Sequence, residues 1–385
     1  MIRKVWGWLK RPSRMAWSLV AVLGGGVMAG GLLTVHLALE TTGSLEFCLS
    51  CHSMTIPYEE YQATVHYQNT SGVQAGCPDC HVAEKGIAYY VDKVIAGKDL
   101  FYWMTGKLAT PEDYETHRLE MAEIVWAKME ATDSRECKSC HASDAMTIST
   151  QVPDAQTQHT EALETGETCI DCHKGIAHKM PDLAAHAREL AAAFMSQPQT
   201  LTSDHIWSKG TTPLLAEGNA DAAKLGTILP GVSMTRLETS GDFVKVRLSG
   251  WQAGDVVRGQ YAIFGQRILN ISISASALEH ITYGETQYFS DGDQDWTESS
   301  LEGWVSAAAL TSDGAMLWTV ADSTYVSQCA VCHSVHKPES RPALGWVADV
   351  EHYAERTSLT AEEERLVLRY LQLNSSDTKD VASDL

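Results

Sequence analysis

Cys48-Leu-Ser-Cys51-His52 is the first of five copies of one pattern in this chain. The others are Cys77-Pro-Asp-Cys80-His81, Cys137-Lys-Ser-Cys140-His141, Cys169-Ile-Asp-Cys172-His173 and Cys329-Ala-Val-Cys332-His333. They use all ten cysteines of the 385 residues. C-x-x-C-H is the c-type haem attachment pattern: each thiol adds to one vinyl group, and the next imidazole (His52, His81, His141, His173 or His333) becomes the proximal iron ligand. Redox dithiols have no need of the histidine, and a zinc ribbon needs only four ligands in all. The pattern therefore predicts a multihaem cytochrome c with five covalently bound haems. Such attachment happens outside the cytoplasm, so the chain from the first site onward is expected to be exported.

Upstream, Met15 to Leu39 contains no Lys, Arg, Asp or Glu, and its 25 residues exceed the ~20 needed to cross a bilayer. Arg3, Lys4, Lys10, Arg11 and Arg14 precede it, with no acid among the first 39 residues. The positive-inside rule then keeps residues 1–14 cytoplasmic as a basic segment and exports the remainder. No Ala-x-Ala site stands before Glu40, so a retained anchor over 15–39 is expected rather than a cleaved signal. Gly26-x-x-x-Gly30 offers a surface for a homodimer through the anchor. Forty-nine acidic against 29 basic residues leave a net charge of −20, a poor balance for gripping nucleic acid.

Beyond the membrane, residues 40–190 hold four sites and should be mostly short helices and loops around haems. Thr110-Pro111-Glu112-Asp113 reads as a helix start, with Leu119, Ala122, Trp126 and Met129 recurring at helical spacing. Residues 195–325 hold no cysteine. There Phe243-Val-Lys-Val-Arg-Leu248 and Ile271-Ser-Ile-Ser274 alternate as strands do, predicting a small β domain. Gly241-Asp-Phe-Val-Lys-Val and Glu302-Gly-Trp-Val-Ser resemble strands of a bacterial SH3-like barrel. Residues 326–375 read as a helical monohaem domain closed by a helix capped at Thr360, and 376–385 as a flexible tail.

Five proximal histidines leave ten others as candidate ligands. His178 follows His173 too closely to reach round its own iron, but it can serve a neighbouring haem. His66 lies 14 residues past His52 on a segment able to fold back, and His159 shortly precedes the fourth site. At the first site His52 and Met54 are alternatives: Met54 either packs, or replaces His52 on the iron and leaves the far face open.

These segments resemble the NapC/NirT family of membrane-anchored quinol dehydrogenase cytochromes. The likeness rests on the anchor, C-x-x-C-H-x-Met at the first site, Val65-His66-x-x-Asn69 before Gly72-Val73, and Cys-Pro-Asp-Cys-His-Val. His117-Arg-Leu-Glu-Met-Ala, Asp-Ser-x-Glu-Cys-x-x-Cys-His and Cys-Ile-Asp-Cys-His-Lys-Gly-Ile-Ala-His complete it. The extra domain with a fifth site is similar to the pentahaem TorC-type subgroup. That resemblance implies menaquinol or ubiquinol as donor and, as partner, a periplasmic molybdenum-dependent reductase for trimethylamine N-oxide or another N- or S-oxide. The location it implies is the bacterial inner membrane, with the haem domains periplasmic. It also pairs His81 with His178, His141 with His66, and His173 with His159. Lys93-Val-Ile-Ala-Gly-Lys-Asp99 resembles the part that supplies a lysine and an acidic residue to the quinol pocket, giving Lys93 and Asp99 as quinol-site residues. The subgroup's methionine after the last site is absent here, so His352, or alternatively His336, is expected as sixth ligand of the fifth haem. A terminal reductase is the rival reading, but C-x-x-C-Lys, a frequent sign of an open catalytic haem, does not occur.

Overall fold

The computed structural model describes residues 17–197, 201–254, 256–330 and 335–381. The basic cluster from Arg3 to Arg14, and Cys332 with His333, lie outside them. The chain divides into two compact units at Pro181/Asp182.

The first unit starts with α1 (Trp17–Thr41). Its segment Leu19–Thr41 has a mean hydropathy of 1.8 and is long and apolar enough to cross a membrane. Short helices then carry the haem motifs. They are α2 (Leu45–Cys48), α4 (Cys77–His81), α7 (Arg135–Lys138) and α9 (Cys169–Cys172), with α3 (Thr55–Gln62) following the first motif. Longer helices lie between them: α5 (Gly86–Met104), α6 (Pro111–Ala131) and α8 (Pro153–Thr165). The start of α6 is set by Thr110, whose side chain accepts a hydrogen bond from Asp113 N while the Asp113 carboxylate accepts one from Thr110 N. Of the stripe read from the sequence, Met129 is buried and Leu119, Ala122 and Trp126 are half-buried.

This unit buries few apolar side chains. Among the described residues they are Pro57, Tyr61, Ala83, Met129, Ile170 and Pro181. Polar ties add directional links between its helices. Asp92 of α5 accepts from Ala83 N at 2.8 Å and pairs with Lys128 Nζ at 2.9 Å. Arg118 of α6 joins both carboxylate oxygens of Glu60, Glu115 and the carbonyl of Lys179. Asp133 and Ser134 take left-handed backbone angles (φ 53° and 47°), and the fully buried Ser134 hydroxyl accepts from Ile170 N at 3.1 Å. That strained turn fastens the start of the third motif to the fourth.

The second unit has an ordinary apolar interior. Its strands are β1 (His205–Ser208), β2 (Thr212–Leu215), β3 (Lys224–Ile228), β4 (Ser233–Ser240) and β5 (Phe243–Ala253). They continue with β6 (Gly259–Ile263), β7 (Gln266–Ile273), β8 (Thr282–Phe289), β9 (Gln294–Ser306) and β10 (Leu310–Thr311). Six of them close on themselves in the order β5-β6-β7-β3-β2-β9, because β9 pairs back with β5 along its whole length. The two sequence segments likened to an SH3-like barrel are direct partners in that closure, with Val244 opposite Val305. Val244, Val246, Leu248, Ile271 and Ile273 all point into the core, as their alternation requires. The sheet exceeds the small domain expected: β4, β1 and β10 extend it beyond β5, and β8 beyond β9.

Helices α10 (Leu183–Ser196), α11 (Gly314–Cys329), α12 (Ala343–Ala354) and α13 (Ala361–Leu373) complete this unit. Phe194, Leu317, Val320, Ala321 and Leu366 form one cluster, and Ile268 of the barrel shares another with Ala343 and Leu373. The helices after the barrel therefore pack onto it. The polar stretch after α13, expected to be a flexible tail, is tied down as far as Val381. Ser375 and Thr378 are buried, and Asp377 accepts from Ala343 N at 2.8 Å. Its side chains satisfy backbone groups, which polarity alone does not reveal.

One buried cation fastens α13 to the barrel. Arg369 donates to Gly231 O at 2.8 Å, Leu269 O at 3.0 Å and Asn270 Oδ1 at 2.7 Å. Arg369→Leu leaves three acceptors unpaired and is expected to cost about 2–4 kcal/mol. Guanidinium unfolding followed at the β-sheet circular dichroism band measures it, and an unchanged midpoint would rule out this clamp.

Candidate functional site: paired histidines beside the haem motifs

The second, third and fourth motifs each form or adjoin a single helical turn. At the third and fourth motifs the histidine amide donates to the carbonyl of the first cysteine, His141 N to Cys137 O and His173 N to Cys169 O, both at 2.8 Å. Acidic residues inside two motifs stabilise the helix starts: Asp79 accepts from Gly76 N and Asp171 from Thr168 N, each at 2.7 Å. The motifs also follow one another in space. Helix α2 touches α4, and α4 touches α7. Cys48 is close to Cys77, Cys137 to Cys80, and Cys169 to Cys137.

Three motif histidines face a second histidine from elsewhere in the unit. Ring centroids lie 6.2 Å apart for His81 and His178, 6.2 Å for His141 and His66, and 6.0 Å for His173 and His159. Two imidazoles on opposite faces of one iron stand about 6 Å apart, since each metal–nitrogen bond is about 2 Å and each ring adds about 1 Å. The protonation pattern suits ligation as well. His178 Nδ1 lies 3.1 Å from Pro57 O, which can only accept, so that nitrogen carries the proton and leaves Nε2 its lone pair. His159 Nδ1 is held 2.6 Å from Gln151 Oε1. His66 Nδ1 is buried with no hydrogen-bond partner. Burial, helped by His178 and Lys128, pushes the His81 imidazole down to about 4. Burial also lowers His173, reinforced by His159 and His141, and lowers His178 against the opposing charge of Glu60. All three shifts, at His81, His173 and His178, favour the neutral imidazole, the form an iron binds. The cysteines and this donor set fit c-type haem.

The local chain explains how His178 reaches a different motif. Gly175 sits at φ 74°, where an added Cβ would meet Met180 Cγ at 2.7 Å, so only glycine makes this turn. Beyond it, Lys179 N donates to Glu60 at 3.0 Å and Lys179 O accepts from Arg118 at 3.1 Å, fixing the segment on both sides of the histidine's neighbour.

At the first motif, His52 and Met54 share one turn of 3-10 helix, and both are exposed. Lys93 is half-buried; its Nζ lies 3.0 Å from the point a Cβ on Gly43 would occupy, and its charge acts on Cys48. It therefore stands between the end of the anchor and the first motif. Asp99 is exposed on the same helix; surrounding protein raises its carboxyl above the usual range while Lys98 opposes this. Among the described residues no hydrogen bond or ion pair joins Asp99 to Lys93. Cys329 ends α11 beside a cluster of Tyr325, Trp346, Val367 and Leu371. His352 is exposed on α12 with its ring 4.8 Å from Tyr353, and His336 O accepts from Tyr325 at 2.8 Å. Sequence reasoning missed Glu60, Asp92, Arg118 and Ser134. Arg118 carried a signal as part of His117-Arg-Leu-Glu-Met-Ala, and Ser134 as part of Asp-Ser-x-Glu-Cys-x-x-Cys-His.

An anchor helix followed by haem motifs with paired histidines defines a membrane-bound multihaem cytochrome c. Comparison with known proteins agrees. Residues 10–183 match the N-terminal region of the NapC/NirT cytochrome c family, 201–310 the TorC third cytochrome c domain, and 325–384 a dihaem cytochrome c model. The chain is 37% identical to the cytochrome c-type protein TorY of Escherichia coli O157:H7, over 96% of this chain and 98% of that protein. It is 34% identical to TorC of Escherichia coli K12, over 98% and 97%. NapC of the same strain is 42% identical over 48% of this chain and 92% of its own length. No solved structure matches. The chain belongs to the NapC/NirT family as a TorC-type cytochrome c, and with that come covalently bound haem and an electron-transfer role at a membrane.

The Glu60–Arg118 tie beside His178 has a pH signature. Burial raises the Glu60 carboxyl, but the Arg118 hydrogen bond and the Lys179 amide outweigh it and hold it below the ordinary range. A depressed folded pKa stabilises fully above the ordinary range and loses that contribution as pH falls through the folded value. The melting-temperature difference between wild type and Glu60→Gln should therefore be largest near neutrality and shrink in acid. A difference independent of pH would contradict this.

Proposed function

We propose that this protein oxidises menaquinol or ubiquinol beside its first haem site and delivers the electrons to a periplasmic terminal reductase, with trimethylamine N-oxide reductase the best candidate. The observation that carries this is the run of three histidine pairs at the second, third and fourth motifs, with the first motif close after the end of an apolar helix. Five covalent haems, when bound, supply one-electron carriers whose potentials are set by ligands and burial. The chain's own residues do the rest. Cysteines 48, 51, 77, 80, 137, 140, 169, 172, 329 and 332 would hold the macrocycles. His81 with His178, His141 with His66 and His173 with His159 would hold three of the irons. His52 or Met54 would serve the first iron. His333 would serve the fifth, together with His352 or alternatively His336.

Quinol oxidation releases two electrons and two protons. Asp99, with its raised carboxyl, is suited to take a proton, and Lys93 to orient a quinol oxygen. The anchor sets the orientation: basic residues 1–14 remain in the cytoplasm and the haem domains face the periplasm. The second unit, with the fifth site, is the outlet to the reductase. Identification of the acceptor rests on the TorC-type likeness, and dimethyl sulfoxide or another N- or S-oxide is the alternative.

Asp99→Asn is expected to abolish reduction by a menaquinol analogue while leaving haem content and dithionite reduction at wild-type levels. Turnover that survives the change would show that the quinol site lies elsewhere.

A further inference from the structure

The fourth histidine pair is backed by a residue that the ligand assignment does not use. His159 lies in the second turn of α8, and its Nδ1 stands 2.6 Å from the side-chain oxygen of Gln151. Gln151 precedes the helix, so it must fold back to a ring that lies about 9 Å along the axis from Pro153. Two hydrogen bonds to its main chain hold it there. Gln151 N donates to Ile148 O at 3.0 Å, and Gln156 Nε2 donates to Gln151 O at 2.6 Å. Gln156 and His159 are three residues apart on α8 and so share a face. The helix that carries the histidine therefore also fixes the main chain of the residue beside it. Gln151, Gln156 and His159 are each half-buried.

We propose that Gln151 is a positioning residue of the fourth haem site: its amide oxygen accepts a hydrogen bond from His159 Nδ1, which presents the Nε2 lone pair to the iron and lowers the potential of that haem. The two ends of the amide are not equivalent here. With the amide nitrogen turned to the ring, Nδ1 would have to accept, Nε2 would hold the proton and His159 could not bind a metal. An acceptor on the outer nitrogen also makes the imidazole a more basic ligand, which favours ferric over ferrous iron. His178 meets the same need with a main-chain oxygen, Pro57 O, which no change of side chain removes. At the fourth pair the acceptor is a side chain, so its strength can be varied while the ligand stays. The inference rests on the proposed ligation of the fourth iron by His159 and adds the residue that tunes it. It is independent of the quinol site and of the identity of the terminal reductase.

The test is a redox titration of the full-length holoprotein followed by electron paramagnetic resonance. The signal of the fourth haem is the bis-histidine component that His159→Ala removes. Gln151→Leu deletes the acceptor and should move the midpoint potential of that signal upward. Gln151→Glu makes the acceptor anionic and should move it downward, with the other haems unchanged in both variants. Loss of the bis-histidine signal in Gln151→Leu, with its retention in Gln151→Glu, would also support positioning. Equal midpoints in wild type and both variants, or a shift of the same sign in both, would overturn the role of Gln151 and leave His159 a ligand. If His159→Ala removes no component, the ligation itself fails and the inference falls with it. Gln151→Glu preserves side-chain length, so it decides even if Gln151→Leu does not fold.

Discussion

Two imidazoles that share an iron must meet from opposite sides at a fixed spacing, each with a neutral nitrogen turned inward. Most of what orders the first unit makes sense as a means to that end. Buried ion pairs and side chain-to-backbone ties hold the loops around the motifs. Asp92 fixes α5 to the loop after the second motif, Arg118 fixes α3 and α6 to the segment carrying His178, and Ser134 joins the third motif to the fourth. Such ties are directional, as a ligand array requires, whereas apolar packing tolerates sliding.

The second unit follows the opposite plan. A closed barrel has no free edge where it closes, and its interior is filled by Val, Ile and Leu from alternating positions. Helices α11, α12 and α13 use the barrel wall as their platform, with Arg369 as the fastening. Cys329, the first cysteine of the fifth motif, is the last residue of α11.

The haem motifs and the strands were legible in the sequence because both depend on short-range patterns. C-x-x-C-H is local chemistry, and Val244, Val246 and Leu248 alternate because strand side chains do. Helix α6 announced itself through Thr110 and Pro111. The pairing of His81 with His178 could be reached only through a family likeness, because nothing local says which motif a distant histidine will face. Asp92 was hidden for a related reason. It sits among Lys93, Lys98 and Asp99 on one helix, and only its position against Ala83 and Lys128 distinguishes a buried tie from a solvated charge. The length of order after α13 was misjudged because Ser375, Asp377 and Thr378 look like tail residues until their backbone partners are known.

The central claim is that His66, His159 and His178 each complete the coordination of a different iron. Near-infrared magnetic circular dichroism of the oxidised full-length protein distinguishes bis-histidine low-spin haem from other ligand sets. The account predicts that His66→Ala, His159→Ala and His178→Ala each remove one haem's share of the bis-histidine band, with all haems still covalently attached. A band unchanged by any one of these substitutions would contradict it.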